Sequence, residues 1–257
     1  MEELKELLEG NTMMFKFQPI VSVVSGEVFG YEALIRSDIP GLEEPWDIIS
    51  LAAEFSMLHT LETKVQLHLL EFYKQNTDKL KNKYLFFNSI PAESVNEDIH
   101  QIMAERYSEY LPNIAIEISE CEQHSEEVIK SKSKFIRQYG GKIAFDNYGA
   151  GLHSEESIFS FGPDFIKIDF CIINYLDENE ECAEFLRDFV ISAHKNNVKI
   201  IALGIERSSQ LELAIELGVD YLQGFYITHP SFDIVDEMDE NLKRQILEAT
   251  MRRQENV

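Results

Sequence analysis

Two periodicities alternate along the chain. Met14 to Val24 and Val28 to Arg36 are runs of β-type residues joined at Ser25-Gly26-Glu27, and so short a glycine-containing connection predicts an antiparallel hairpin. Residues 1 to 11 predict a short polar helix or a loose end, and Pro40 to Pro45 a loop. From Trp46 to about Tyr73 apolar positions recur at helical spacing, among them Ile49, Ala52, Ala53, Val65, Leu67, Leu70 and Phe72. That spacing predicts two helices with a break near Ser56 to Thr60.

Short apolar runs then alternate with amphipathic segments. Strands are predicted at Tyr84 to Asn88, Asn113 to Ile118, Lys142 to Asp146, Phe165 to Ile168, Val198 to Ala202 and Tyr221 to Gln223. Helices are predicted at Ala92 to Tyr110, Ser125 to Tyr139, about Cys182 to Asn196 and about Ser209 to Leu217. Such alternation means a mainly parallel sheet with helices outside it. With this many βα units, closure into an α/β barrel is the expected architecture. Asp236 to Gln254 sets Met238, Leu242, Ile246, Leu247 and Met251 against charged positions, as in an amphipathic helix on the barrel exterior or at a partner or dimer surface. The chain reads as a single domain over residues 1–257.

Composition narrows the classes. A hydrophobic content of 44% supplies a packed interior, and a formal charge of −23 excludes broad electrostatic binding to nucleic acid or anionic membrane. Cys121, Cys171 and Cys182 are odd in number and lack CxxC spacing, which argues against a disulfide framework or a zinc knuckle. No run of eighteen apolar residues exists and the acidic N-terminus lacks a signal-peptide core, so a soluble, cytoplasmic protein without a membrane span is expected. The histidines show neither HxxxH nor HxH spacing; His153 alone, beside a glycine-rich loop, merits watching.

The residues expected to leave the strands are Glu32, Asn88, Glu117, Asp146 with Asn147, Lys167, Leu203 and Gln223. Taken singly they have ordinary readings: Asp146 as a helix cap, Lys167 paired to a nearby carboxylate, Arg36 at the surface, Tyr148, Phe225 and Tyr226 in the core. Taken together, Glu32, Asn88, Glu117 and Asp146 are an all-oxygen set suited to Mg²⁺ or Mn²⁺.

Tyr31-Glu32-Ala33-Leu34-Ile35-Arg36, following Phe17-Gln18-Pro19-Ile20-Val21, resembles the signature of the EAL domain family, the bacterial phosphodiesterases and receptors for cyclic di-GMP. Phe87-Asn88, Ile116-Glu117-Ile118-Ser119-Glu120, Phe145-Asp146-Asn147-Tyr148-Gly149-Ala150-Gly151, Lys167-Ile168-Asp169, Ile201-Ala202-Leu203-Gly204-Ile205-Glu206 and Leu222-Gln223-Gly224 follow in the family's order, over about residues 15–230. The resemblance implies a modified TIM-like (β/α)₈ barrel with an antiparallel first strand pair. It also implies two metal ions that activate a water to open cyclic di-GMP to linear pGpG. By resemblance, Glu32, Asn88, Glu117 and Asp146 hold the first metal, and Lys167 and Gln223 fix water, metal and phosphate. Gln18 and Arg36 contact the dinucleotide and Leu34 lines the cleft.

Two positions depart from the family pattern. The second of a pair of aspartates is Asn147, and a glutamate expected of the second metal and of water activation is Leu203; Glu206 remains and is expected to support the loop carrying Asp146 and Asn147. Asn147 keeps an oxygen but loses a charge, whereas Leu203 offers no donor. The first metal shell is complete and the second is compromised. Three readings follow: a cyclic di-GMP receptor with impaired hydrolysis, a working phosphodiesterase that compensates the losses, and a nucleotide-independent protein-interaction domain. The resemblance further implies a homodimer through about Tyr148 to Phe161; an output is expected to pass through a regulatory protein partner, a dimer face or the product itself.

Overall fold

The computed structural model describes residues 1–10, 12–89, 97–119, 126–148, 154–169 and 180–255, the side chains of 97, 98 and 180–182 excepted. Gly149, Ala150, Gly151, His153, Cys121, Cys171 and the side chain of Cys182 lie outside this set, as does part of the expected pairing segment.

Strand β1 (Met13–Ser22) turns through Gly26, at φ +66°, into the antiparallel strand β2 (Val28–Ser37). Then β3 (Tyr84–Asn88), β4 (Ile114–Ser119), β5 (Lys142–Tyr148), β6 (Phe165–Ile168), β7 (Lys199–Ala202) and β8 (Tyr221–Leu222) follow in parallel. Antiparallel pairing of β8 with β1 closes the barrel. The expected barrel with an antiparallel first strand pair is therefore the fold.

Helices α1 (Glu2–Glu9), α2 (Pro45–Glu54), α3 (Leu58–Gln75), α4 (Thr77–Leu80), α5 (Glu97–Tyr107), α6 (Glu126–Gln138), α7 (Glu155–Ser160), α8 (Glu180–Lys195), α9 (Ser208–Leu217) and α10 (Glu240–Glu255) accompany the strands. The break between α2 and α3 falls where the periodicity lapses, with Ser56 at φ +55°. The N-terminus is not loose. Leu4, Leu7 and Leu8 of α1 are buried with Ile39, Leu42, Ile48, Ala52 and Leu61, because leucines at this spacing share one helix face. At the other end α10 starts at Glu240, later than expected, since the Asp239 carboxylate accepts from the amides of Asn241 and Leu242 and caps it there. Its Leu242, Ile246 and Ala249 are buried, and Thr250 Oγ1 donates to the Val23 carbonyl, fixing the helix to the barrel exterior.

Each strand sends alternate side chains outward and inward. Leu85, Phe87, Ile114, Ile116, Ile143, Phe145, Ile166 and Ile200 pack outward under the helices. Inward, Ile20, Phe86, Ala115, Ala144, Phe165 and Ile201 form one apolar layer, joined by Phe29, Tyr84 and Tyr221. The ring centroids of Phe29 and Tyr221 are 4.0 Å apart and those of Phe86 and Phe165 5.2 Å. Gly30 makes room for this layer, for a Cβ there would lie 2.5 Å from the Tyr84 carbonyl oxygen and 3.2 Å from the Phe86 ring.

Candidate active site

Two residues beyond the apolar layer the same strand faces turn polar, except at Leu203. Phe86 is followed by Asn88, Ala115 by Glu117, Ala144 by Asp146, Phe165 by Lys167, Ile201 by Leu203 and Tyr221 by Gln223, while Gly30 leads to Glu32 and the reversed β1 brings in Gln18. A period of two places these side chains in one ring above the apolar one. Glu32 and Glu117 are not strand exits, as the sequence suggested. β2 stays paired with β1 as far as Ser37 opposite Met13, and β4 runs on to Ser119, so both carboxylates sit inside the barrel wall.

Lys167 is the hub. It is fully buried, and Nζ donates to Glu32 Oε2 at 2.7 Å and Glu117 Oε1 at 2.6 Å and lies 3.7 Å from Asp146 Oδ1. Gln223 Nε2 also donates to Glu32 Oε2, at 2.7 Å, and to Gln18 Oε1 at 3.1 Å; Gln18 Nε2 in turn donates to the Thr228 carbonyl. The ordinary expectation that Lys167 pairs with a carboxylate therefore holds. Asp146, by contrast, does not cap the next helix, for Ser154 caps α7 by accepting from the Ser157 amide.

The two glutamates on Lys167 titrate in opposite senses. Burial pushes both up. At Glu32 this is overcome by the Lys167 charge and by hydrogen bonds from Lys167, Gln223 and Asn88, which hold its pKa below the usual carboxylate value. Glu117 has a single such donor, is completely buried and faces the charges of Glu32 and Asp146, so its pKa lies well above that value. Asp146 is raised by burial, partly offset by Lys167 and reinforced by Glu32 and Asp169. Burial would lower Lys167, but Glu117, Glu32 and Asp146 together raise it.

Asn147 adopts the left-handed region at φ +58°, where asparagine is tolerated. There the pairing slips: Phe145 opposes Ile166, yet Tyr148 opposes Ile168, so three residues of β5 span two of β6. This bulge lets Asn147 Nδ2 donate to Asp146 Oδ2 at 2.7 Å. Leu203 lines a cleft of about 180 Å³ with Gln18, Glu32, Gly204, Glu206, Gln223, Gly224 and Phe225. Phe225 is 52% exposed in that cleft and stacks on His229, unlike the core residue its type suggests. Tyr148 does belong to the core, stacked on Phe189, and the Tyr226 hydroxyl donates to Gln245. Glu206 is exposed at the rim.

Arg36 and Leu34 stand apart from the ring. Arg36 donates to the Ile35 carbonyl and pairs with Glu44 at 3.4 Å, and its Nε is buried without a hydrogen-bond partner. Leu34 lines a neighbouring cavity of about 400 Å³, mostly apolar, that reaches Trp46, Asn88 and Ser89. Sequence reasoning gave no role to Asp169, whose charge acts on Asp146, or to the Thr228 carbonyl that anchors Gln18. The motif containing Lys167 and Asp169 was the available signal for the first; a backbone acceptor leaves none.

Among the described residues no three histidine, cysteine or carboxylate side chains form a ready-made metal cluster, since the Lys167 ammonium stands among the acids. The donor chemistry nonetheless fits a hard cation. Glu117 Oε2 and Asp146 Oδ1 are buried oxygens without hydrogen-bond partners, an arrangement that is costly unless another ligand completes it. Fully ionised, three carboxylates against one ammonium leave a formal −2, the charge that one divalent ion neutralises.

The EAL domain profile matches residues 1–230. This chain belongs to the EAL domain family. Among relatives, the cyclic di-GMP phosphodiesterase PdeR of Escherichia coli K12 is 27% identical over 234 residues, which are 88% of this chain and 35% of PdeR. The signaling protein YkoW of Bacillus subtilis is 24% identical over 237 residues, 88% of this chain and 29% of YkoW. This EAL chain thus spans about a third of the length of such relatives. The EAL domain of FimX from Pseudomonas aeruginosa, solved bound to c-di-GMP, aligns with a TM-score of 0.81 at 20% identity, covering 93% of this chain and 98% of that one. At that identity the likeness is one of fold, and it agrees with the closed barrel described above. No described helix is long and apolar enough to cross a membrane.

Proposed function

We propose that this EAL domain binds cyclic di-GMP at the barrel mouth and hydrolyses it poorly or not at all. One observation carries the reading. The inward ring keeps Glu32, Glu117, Asp146 and Lys167, while Asn147 turns an amide N–H onto Asp146 Oδ2 and Leu203 presents hydrocarbon to the cleft. The dinucleotide itself is inferred from the ligands and activities in the names of its EAL relatives.

Glu32, Asn88, Glu117 and Asp146 would hold one Mg²⁺ or Mn²⁺, and the ion when bound supplies Lewis acidity toward a phosphodiester oxygen. Lys167 holds Glu32 and Glu117 together, and Gln223 and Gln18 extend that grip to the cleft wall. Gln223 Oε1, buried and without a hydrogen-bond partner, is an acceptor available to a water or ligand hydroxyl. Leu34 lines the adjoining cavity, and Arg36, two residues on, would exchange Glu44 for a phosphate. Hydrolysis further requires a group that accepts a proton from the attacking water, and a leucine at 203 accepts none. Asp146 Oδ2, which would be needed for a second cation, is already engaged by the Asn147 amide. Pairing through the segment around α7 and output through a regulatory protein partner extend the same reading.

The deciding experiment incubates the protein with cyclic di-GMP and Mn²⁺ and separates products by chromatography, beside the Leu203→Glu/Asn147→Asp double variant. Binding by calorimetry, with pGpG formed by the double variant and not by the wild type, supports the receptor reading. Turnover by the wild type at the double variant's rate makes the protein an active phosphodiesterase, and absence of binding in both rejects the site.

A further inference from the structure

Outside the ring the barrel wall holds a second buried ionic group. Glu62 on α3, Lys132 on α6 and Ser89, next after β3, are each less than a tenth exposed. Lys132 Nζ donates to Glu62 Oε1 and to Ser89 Oγ, and Ser89 Oγ donates to Glu62 Oε1, all at 2.7 Å. Gln66 adds a third contact to the same carboxylate oxygen at 3.2 Å. The Ser89 amide meanwhile donates to the Glu117 carbonyl at 2.9 Å. Ser89 is therefore tied at once to two helices and to the strand that carries Glu117.

Burying an ion pair gains little stability over apolar residues of the same volume, because desolvation offsets the attraction. The group's value must then be sought in what it orients. Ser89 is the residue after Asn88, the exposed amide that helps hold the Glu32 pKa down and that pairs with Glu117 in the ladder. β3 ends at Asn88, and the one ladder bond described past it is the Ser89 amide on the Glu117 carbonyl, so the direction of its last inward side chain depends on how firmly Ser89 is held. We infer that Glu62, Ser89 and Lys132 are positioning residues that lock the end of β3 and thereby aim Asn88 into the ring. The role of Asn88 as a ligand rests on the proposed function; the locking of the strand end does not. Groups that orient metal ligands from behind commonly alter metal affinity ten- to a hundredfold when removed.

The test uses the full chain as Ser89→Ala, which severs the tie and leaves the ion pair, as Ser89→Thr, which keeps the hydroxyl, and as Glu62→Leu/Lys132→Met, which removes both charges together. The ligand-free readout is amide hydrogen exchange at Asn88 and Ser89. Faster exchange there in Ser89→Ala and the double variant, with Ser89→Thr like wild type and the rest of the barrel unchanged, is expected; unchanged exchange at these amides overturns the inference. The second readout is Mn²⁺ affinity by calorimetry, expected to fall about tenfold in Ser89→Ala. The same change made on Asn88→Ala should cost nothing more, whereas an additive loss overturns the coupling to Asn88. A wild type that takes no Mn²⁺ would count against the metal reading alone, and hydrogen exchange still decides the lock.

Discussion

Asn147 Nδ2 donates to Asp146 Oδ2 across 2.7 Å, so the residue that departs from the family pattern is bonded to the one that keeps it. An aspartate at 147 reverses this contact from donor–acceptor to charge against charge. We expect Asn147→Asp to destabilise the metal-free protein at neutral pH by about 1–2 kcal/mol. Mn²⁺ should recover most of that loss. Thermal unfolding of both proteins with and without Mn²⁺ checks it, and an equal response to the ion by both would reject it.

Lys167 is, among the described residues, the cation paired with Glu32, Glu117 and Asp146. Lys167→Met leaves Glu32 and Glu117 buried without their counter-charge, which should cost about 3–5 kcal/mol. A divalent cation should restore part of the stability by taking over the ammonium's place. Urea unfolding with and without Mg²⁺ measures both effects.

The titration of the ring has a definite sign. Glu117 and Asp146 have pKa values raised by burial, so the folded chain holds protons that the unfolded chain has released. Their contribution to stability is present below the ordinary carboxylate value of 4.5 for Glu and 3.8 for Asp, and is lost as pH rises through the raised values. Glu32, with a lowered pKa, contributes stability above its ordinary 4.5 that disappears as pH falls through the lowered value. Lys167, with a raised pKa, contributes below its ordinary 10.5 and loses that contribution as pH rises through the raised value. Across the range between, stability of the metal-free protein should decline as Glu117 and Asp146 ionise. Mn²⁺ binding should release protons from them. Calorimetry in two buffers of different ionisation heat counts those protons, and a count of zero at all pH values contradicts the assignment.

Arg36 is engaged by a Glu44 side chain that is itself mostly exposed. Such a pair is weak, about 0–1 kcal/mol, so its release is an inexpensive step. Glu44→Gln should tighten cyclic di-GMP by no more than about fivefold, consistent with that range. Arg36→Ala should weaken binding and abolish the effect of Glu44→Gln, as titration calorimetry on the four proteins would reveal.

The barrel was legible because its strands are short apolar runs with period two and its helices keep period 3.6, so each element announces itself locally. The antiparallel start was legible in Ser25-Gly26-Glu27 for the same reason. The burial of Leu4, Leu7 and Leu8 was less so, since a helix of this length shows a stripe only when its docking surface is known. Of the site, Glu32, Glu117, Asp146, Lys167, Gln18 and Gln223 come together as their motifs suggest. The depth of Glu32 was hidden because it depends on how far β2 stays paired with β1. The bulge at Asn147 and the tie between Glu62, Ser89 and Lys132 join residues through space, and a linear pattern carries no trace of either.

The aromatic layer of Phe29, Tyr84, Phe86, Phe165 and Tyr221 has a consequence for traffic. Among the described residues it closes one end of the barrel with an aromatic floor, so that the acids face the opposite end. A ligand seated over that end stands between the ring and the solvent. If the proposed function holds, a cation would have to enter before the dinucleotide and leave after it.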